Sequence, residues 1–371
     1  MVALKPEEFM EDDKPLFEID PDAEEPDPDE TPIKDRKVFT QPYDLAVESL
    51  VDQIRSGTIF LRPLTEKPRF QRQYVWTNNN ASKLIESIIL NVPIPPCYLS
   101  QNDDFELDVI DGQQRLYSIY RFVENQFELS NLEVISEFNG DRFFELSPKI
   151  QRQIKTHTLR CVLITNESHP EVKFDVFERL NTNTVPLNAQ ELRNCVYRGT
   201  LNLLLNECSE YQSWLKILGK SKPDKRLRDE ELILRFFAFH NLGLESYRTP
   251  QKHWLNDAAK DGRRFSEQKI AQLQGLWRSM INTSLVMFDA RECFRRSGSR
   301  AVNRALFDLI AYSLKNISQE QAEGLRVEFR VRFLALGDNI EFQDLISRAV
   351  DHKKRTNRRF EIWQNVMAGL F

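Results

Sequence analysis

Every strand-like run in this 371-residue chain falls in its first half, and that asymmetry constrains the fold before any motif is weighed. CYLS (97–100), FELDVID (105–111) and LRCVLIT (159–165) are short apolar stretches of strand length. From Asn188 onward no such run appears. LNAQELRNCVYRG, ELILRFFAFHNLG, EQKIAQLQGLWRSMINTSLVMF and AVNRALFDLIAYSL instead repeat apolar residues at helical spacing. The chain reads as α+β, with a mixed α/β domain over residues 37–190 followed by an all-helical domain over 191–371. Its length agrees with two domains.

Periodicity places the helices of the α/β half. Leu45, Val47, Leu50, Val51 and Ile54 predict a first helix that Gly57 ends. NNNASKLIESIILNV predicts a second, with an asparagine cap before Leu84, Ile85, Ile88 and Ile89. PIPP (93–96) is the expected stop, because proline lacks an amide and disfavours a helical predecessor. GQQRLYSIYRFVENQF predicts a third through Leu116, Ile119, Tyr120 and Val123, and PEVKFDVFERLN a fourth with Pro170 at its first position.

Charge is divided unevenly. Residues 1–36 hold 14 acidic side chains against 4 basic ones, while 37–371 hold 47 basic against 42 acidic. PDAEEPDPDETP has little to bury, so residues 1–36 are expected to form a flexible acidic tail. Two roles stay open for it: a leash over a phosphate-binding surface, or a solubilising terminus. No apolar run approaches the roughly 18 residues of a membrane helix, and MVALKPEEFMEDDK lacks a secretory pattern. A cytoplasmic protein without a membrane partner is expected. Cys97, Cys161, Cys195, Cys208 and Cys293 form no CxxC pair and read as buried thiols. The five histidines make no HExxH, which argues against a zinc hydrolase.

Three segments concentrate polar chemistry. DGQQR (111–115) lies where a strand gives way to a helix, and unpaired amides at a helix start favour phosphate. Gly112 permits close backbone approach, Arg115 can fork onto phosphate oxygens, and Gln113 and Gln114 can orient water or a base edge. Asp111 suits a hydrated Mg²⁺ or an ordinary helix cap. FQRQYVW (70–76) interleaves Phe70, Tyr74 and Trp76 with Gln71, Arg72 and Gln73, either to stack bases or to anchor a core beneath a wet rim. ERLNTNTVPLNAQELRN (178–194) carries Asn181, Asn183, Asn188 and Asn194, and Asn188 with Glu191 has capping-box spacing. Later, Arg291, Arg295, Arg296 and Arg300, then Lys353, Lys354, Arg355, Arg358 and Arg359, suit either a phosphate backbone or a solvated helix face. Trp254, Trp277 and Trp363 lie in amphipathic runs and are expected in the core.

In order, FQRQYVW, LIESIILNVPIPP, DVIDGQQRL and FERLNTNTVPLNAQELRN resemble the GmrS-like N-terminal domain of GmrSD-type (type IV) modification-dependent restriction enzymes. The resemblance covers about residues 45–200 and implies a ParB/sulfiredoxin-like α/β fold. It further implies NTP binding and hydrolysis with Mg²⁺, in systems that act on foreign or modified DNA. Carried onto this chain, it makes Asp111, Gln114 and Arg115 the expected catalytic residues, with Asp111 at the metal. Gln71, Arg72, Gly112, Gln113, Asn181 and Asn188 are the expected nucleotide-holding residues. The histidine-dependent nuclease motif of GmrSD enzymes has no counterpart in the last 170 or so residues, so cleavage is expected from a partner nuclease. Two other readings stand beside NTP hydrolysis: a nucleotide-switched DNA-binding clamp without turnover, and a direct Mg²⁺-dependent nuclease.

Overall fold

A computed structural model of the chain describes residues 15–22, 37–61, 76–102, 105–180 and 188–370. It contains two compact units, Ile33–Val196 and Tyr197–Phe371, the second taking in Met1–Pro32 as well.

In the first unit the order is β1 (Thr40–Pro42), β2 (Leu45–Ala46), α1 (Val47–Arg55), β3 (Ile59–Phe60), α2 (Asn78–Ile89), β4 (Cys97–Gln101), β5 (Leu107–Asp111) and α3 (Gln113–Val123). Then come α4 (Pro148–Thr156), β6 (Thr158–Leu159), β7 (Cys161–Ile164), α5 (Pro170–Leu180) and α6 (Ala189–Val196). Five strands form one mixed sheet in the order β1-β7-β4-β5-β3, with β4 parallel to β7 and antiparallel to β5. β2 and β6 pair separately. Strand alternation then sorts the side chains. Leu99, Leu107, Val109 and Leu163 enter the main core with Leu50, Ile85, Ile88, Leu116, Ile119 and Ile154 from α1–α4. Ile110 and Ile164 point the other way, onto Phe174 and Phe177 of α5 and Leu192 of α6. Helices thus cover both faces, which is why the central strands read as nearly continuous apolar runs.

Three local details differ from the sequence reading. Leu45 and Ala46 pair with Leu159 and Thr158, so the first helix begins at Val47. Thr77 rather than an asparagine caps α2, its hydroxyl accepting the Asn80 amide at 3.3 Å. That helix ends before PIPP: Asn91 takes a left-handed φ of 54°, and the Val92 amide closes back on Ser87 O at 2.8 Å. Asparagine tolerates this conformation, so the stop precedes the prolines by a few residues.

The second unit contains α7 (Thr200–Ser209), α8 (Gln212–Leu218), α9 (Arg228–Asn241), α10 (Gln251–Asp261), α11 (Glu267–Met287), α12 (Arg304–Leu314), α13 (Gln319–Ala335), α14 (Ile340–Leu345) and α15 (Lys353–Val366). Apart from one isolated bridge, Phe17 to Val302, its described residues contain no strand. The α+β order expected from patterning is therefore present. Trp214, Trp254, Trp277 and Trp363 are buried, and Trp214 and Trp277 meet edge to face at 5.2 Å. Arg235 and Asp308 form a fully buried ion pair between α9 and α12, with Arg359 of α15 at 3.5 Å from the same carboxylate.

Part of the segment expected to be a flexible acidic tail is ordered here. Residues 15–22 lie on the helical unit, where Leu16 and Phe17 are buried. These two apolar side chains supply the burial that an average over 36 residues concealed.

Candidate functional site

The strand-to-helix junction is built around Gly112. β5 ends at Asp111, Gly112 takes φ 96° as the residue before α3, and Leu116 N donates to Gly112 O at 2.9 Å to open the helix. A side chain at this position would be strained by its conformation. It would also collide, because an added Cβ would stand 2.4 Å from Cys97 Sγ. Glycine is required twice over, once for the turn and once for the thiol beneath it.

Arg115 closes the junction. Its Nη2 donates to Asp111 Oδ2 at 2.7 Å and to Pro96 O at 3.4 Å, and its Nη1 donates to Pro95 O. The proline carbonyls of PIPP thus tie the loop after α2 to the first turn of α3. The Asp111 side chain is 40 % exposed and that of Arg115 only 14 %, so the pair presents its carboxylate outward. Gln114 Oε1 accepts the Trp76 amide at 3.4 Å, joining α3 to the start of α2. Gln113 Nε2 is buried and has no hydrogen-bond partner among the described residues. An orphaned buried donor is costly, and a ligand acceptor would remove the cost.

Below the turn, Cys97 and Cys161 are register partners on β4 and β7. The Cys161 thiol donates to Cys97 and holds that thiol below its ordinary pKa; the nearby Arg115 adds to this and burial opposes it. The same hydrogen bond and burial push Cys161 up. Cys97, Cys161, Cys208 and Cys293 are all buried free thiols, as the sequence predicted for them.

The other expected residues divide. Gln71, Arg72 and Asn181 lie outside the described residues. Trp76 is half-buried and packs on the main core. Asn188 Oδ1 accepts the amides of Gln190 and Glu191, and its own amide donates to Glu191 Oε2 at 2.7 Å. This reciprocal cap matches the capping-box reading. α6 also carries a buried polar face that the sequence reading did not single out. Gln190 bridges Asn194 at 2.9 Å and Arg193 at 2.8 Å, and the Arg193 guanidinium lies 6.0 Å from the Phe174 ring centre. Polar residues at i, i+3 and i+4 were its only signal.

Four residues of the basic clusters in the second unit, Arg295, Arg355, Arg358 and Arg359, are tied down by contacts within it. Arg359 is fully buried, and Arg295 donates to the carbonyls of Ile217, Ala290, Cys293 and Arg300. Arg358 pairs with Glu341 and Glu361, and Arg355 with Asp344. These four are committed within the unit, whereas Arg291 and Arg300 are exposed. Among the described residues no group of three or more His, Cys, Asp or Glu side chains is arranged to hold a metal ion, so Asp111 stands as a single carboxylate. No helix among them is long and apolar enough to cross a membrane.

Residues 47–198 match the family model described as GmrSD restriction endonuclease, N-terminal domain. This part of the chain is a GmrSD N-terminal domain. The match runs from the first residue of α1 to just beyond α6, so it takes in β5, Gly112 and α3. The GmrSD N-terminal domain is a domain of restriction enzymes. No curated protein and no solved structure matches the chain at a significant level.

Proposed function

We propose that the GmrSD domain binds a nucleoside triphosphate at the Asp111–Arg115 turn and hydrolyses it, in a system that restricts foreign or modified DNA. The observation that carries this reading is the left-handed Gly112 at the head of α3, with Arg115 braced beside it and the Gln113 donor unpaired. A helix start of this kind favours phosphate oxygens. In this reading Gly112 and Gln113 hold the phosphates with Gln71, Arg72, Asn181 and Asn188, Arg115 offsets their charge, and Gln114 orients water. Mg²⁺ characteristically takes one or two protein carboxylates and completes its shell with phosphates and waters, so the lone Asp111 fits such an ion. The unit is read as ParB/sulfiredoxin-like, with its mixed sheet and strand–turn–helix junction as support.

One observation favours a second reading, a nucleotide-switched DNA-binding clamp without turnover. Asp111 already has a counter-charge in Arg115, which weakens its claim on a metal ion. Phosphate release by purified chain with Mg²⁺ and each NTP, with and without duplex DNA, separates the two. Turnover supports hydrolysis, binding without turnover supports the clamp, and no nucleotide binding rejects both. Cleavage of DNA is assigned to a partner nuclease.

A further inference from the structure

Residues 15–22 press two carboxylates into a surface of the helical unit built from cations and free amides. The backbone of Leu16 and Glu18 bonds to that of Val302, at 3.1 and 3.0 Å, and Arg304 lies over the Phe17 ring at 5.0 Å. Glu18 Oε2 accepts from Asn303 Nδ2 at 2.7 Å. Arg296 Nε lies 2.7 Å from the same oxygen, an ion pair by distance whose N–H does not point along the contact. The second carboxylate is held at both oxygens. Asp20 Oδ1 accepts the Ala349 amide and Oδ2 the Val350 amide, each at 2.9 Å. Ala349 adopts φ 41°, which turns successive amides toward one anion.

These are the contacts a phosphodiester makes: two oxygens on paired amides, with a guanidinium and a side-chain amide beside the neighbouring charge. Glu18 and Asp20 are two residues apart, a step of at most about 7 Å, compatible with the spacing of successive phosphates along a strand. The surface continues beyond the strap. Arg300 and Arg348 flank its contact residues in sequence, are exposed, and have no ion pair among the described residues. Glu18 Oε1 is buried without a partner, so the carboxylate fits this seat imperfectly. We propose that this surface binds the phosphate backbone of DNA, and that Glu18 and Asp20 occupy it as an internal mimic that DNA must displace. The proposal rests on the reading of the chain as a protein that acts on DNA, but it does not require NTP turnover.

The test uses the full chain and a fluorescein-labelled 30-base-pair duplex, with affinity read by anisotropy over a salt series. Glu18→Gln with Asp20→Asn keeps the strap's shape and removes its charge. It is expected to tighten DNA binding about tenfold at low salt, with affinity still falling steeply as salt rises. Adding Arg296→Ala and Arg304→Ala to that variant should abolish the gain, and a peptide spanning residues 15–22 should compete with the duplex for it. Unchanged affinity in the charge-neutral variant, or a gain that survives loss of both arginines, overturns the proposal. Phosphate release measured on the same samples reports on the nucleotide site, so the failure of one reading does not mask the fate of the other.

Discussion

Arg115 reaches back across the first turn of α3 to Asp111, with Nη2 and Oδ2 2.7 Å apart. The same guanidinium binds the carbonyls of Pro95 and Pro96, so one side chain fixes the helix start to the strand end and to the loop after α2. Arg115→Ala is expected to abolish NTP turnover while costing only about 1–3 kcal/mol of stability. Arg115→Lys keeps the charge but loses the planar fork, and should recover stability better than turnover. Phosphate release and thermal melts on both variants check this, and full turnover in the alanine variant would remove the site.

Gly112 and Cys97 should behave as a coupled pair. Gly112→Ala forces a side chain into a left-handed position and into the Cys97 thiol, and is expected to cost at least about 3 kcal/mol. Cys97→Ala removes the Sγ that an added Cβ would strike at 2.4 Å. The double variant should therefore be more stable than the sum of the single losses requires, by about 1–2 kcal/mol. Urea melts of the four proteins give the coupling directly, and strict additivity would show that the thiol does not enforce the glycine.

Asp229 supplies a pH signature within the helical unit. Burial pushes its pKa up to about 7 from an ordinary 3.8, against the amides of Asp224 and Glu230 that donate to it. The folded protein therefore holds a proton that the unfolded chain releases, and this contribution is complete below about pH 4 and lost as pH rises through about 7. The loss is at most on the order of 4 kcal/mol. Asp229→Asn should flatten the fall in stability between about pH 4 and about pH 7. Denaturant midpoints across that range test it, and an unchanged slope would assign the dependence elsewhere.

What the sequence disclosed depended on whether the deciding contact was local. Strands β4, β5 and β7, helices α1, α2, α3 and α5, and the Gly112 turn were legible because apolar runs, helical period and a glycine between two such runs are properties of neighbouring residues, whereas the two- and three-residue strands β1, β2, β3 and β6 are too short to show a pattern. The Asn188 cap was legible for the same reason. The fate of the arginines was not. Arg358 meets Glu341 and Arg355 meets Asp344, partners set by how α14 and α15 fold back on each other, and Arg359 is buried by contacts with α12. Composition misjudged residues 15–22 in the opposite sense, because two apolar side chains and two well-placed carboxylates outweigh a long acidic average. At the candidate site, the carbonyl partners of Arg115 lie about twenty residues upstream, beyond the reach of any periodicity.

The buried charges on α9 and α12 make a last prediction with a sharp internal control. Arg235 donates to both oxygens of Asp308, at 3.0 and 2.5 Å, and also pairs with Asp351 at 3.1 Å. Asp308→Ala removes the partner that Arg235 binds through both oxygens and leaves Arg235 and Arg359 with Asp351 as the remaining carboxylate, and should cost about 3–5 kcal/mol, since the excess buried positive charge adds to the lost contacts. Replacing the pair together, Arg235→Met with Asp308→Leu, removes one charge of each sign, but it leaves Arg359 fully buried with less compensation. Recovery should therefore be partial, and adding Arg359→Met should carry it further. Chemical denaturation of the single, double and triple variants reads this order. If the double variant is as unstable as Asp308→Ala and the third change does nothing, shape rather than charge governs the junction of α9, α12 and α15.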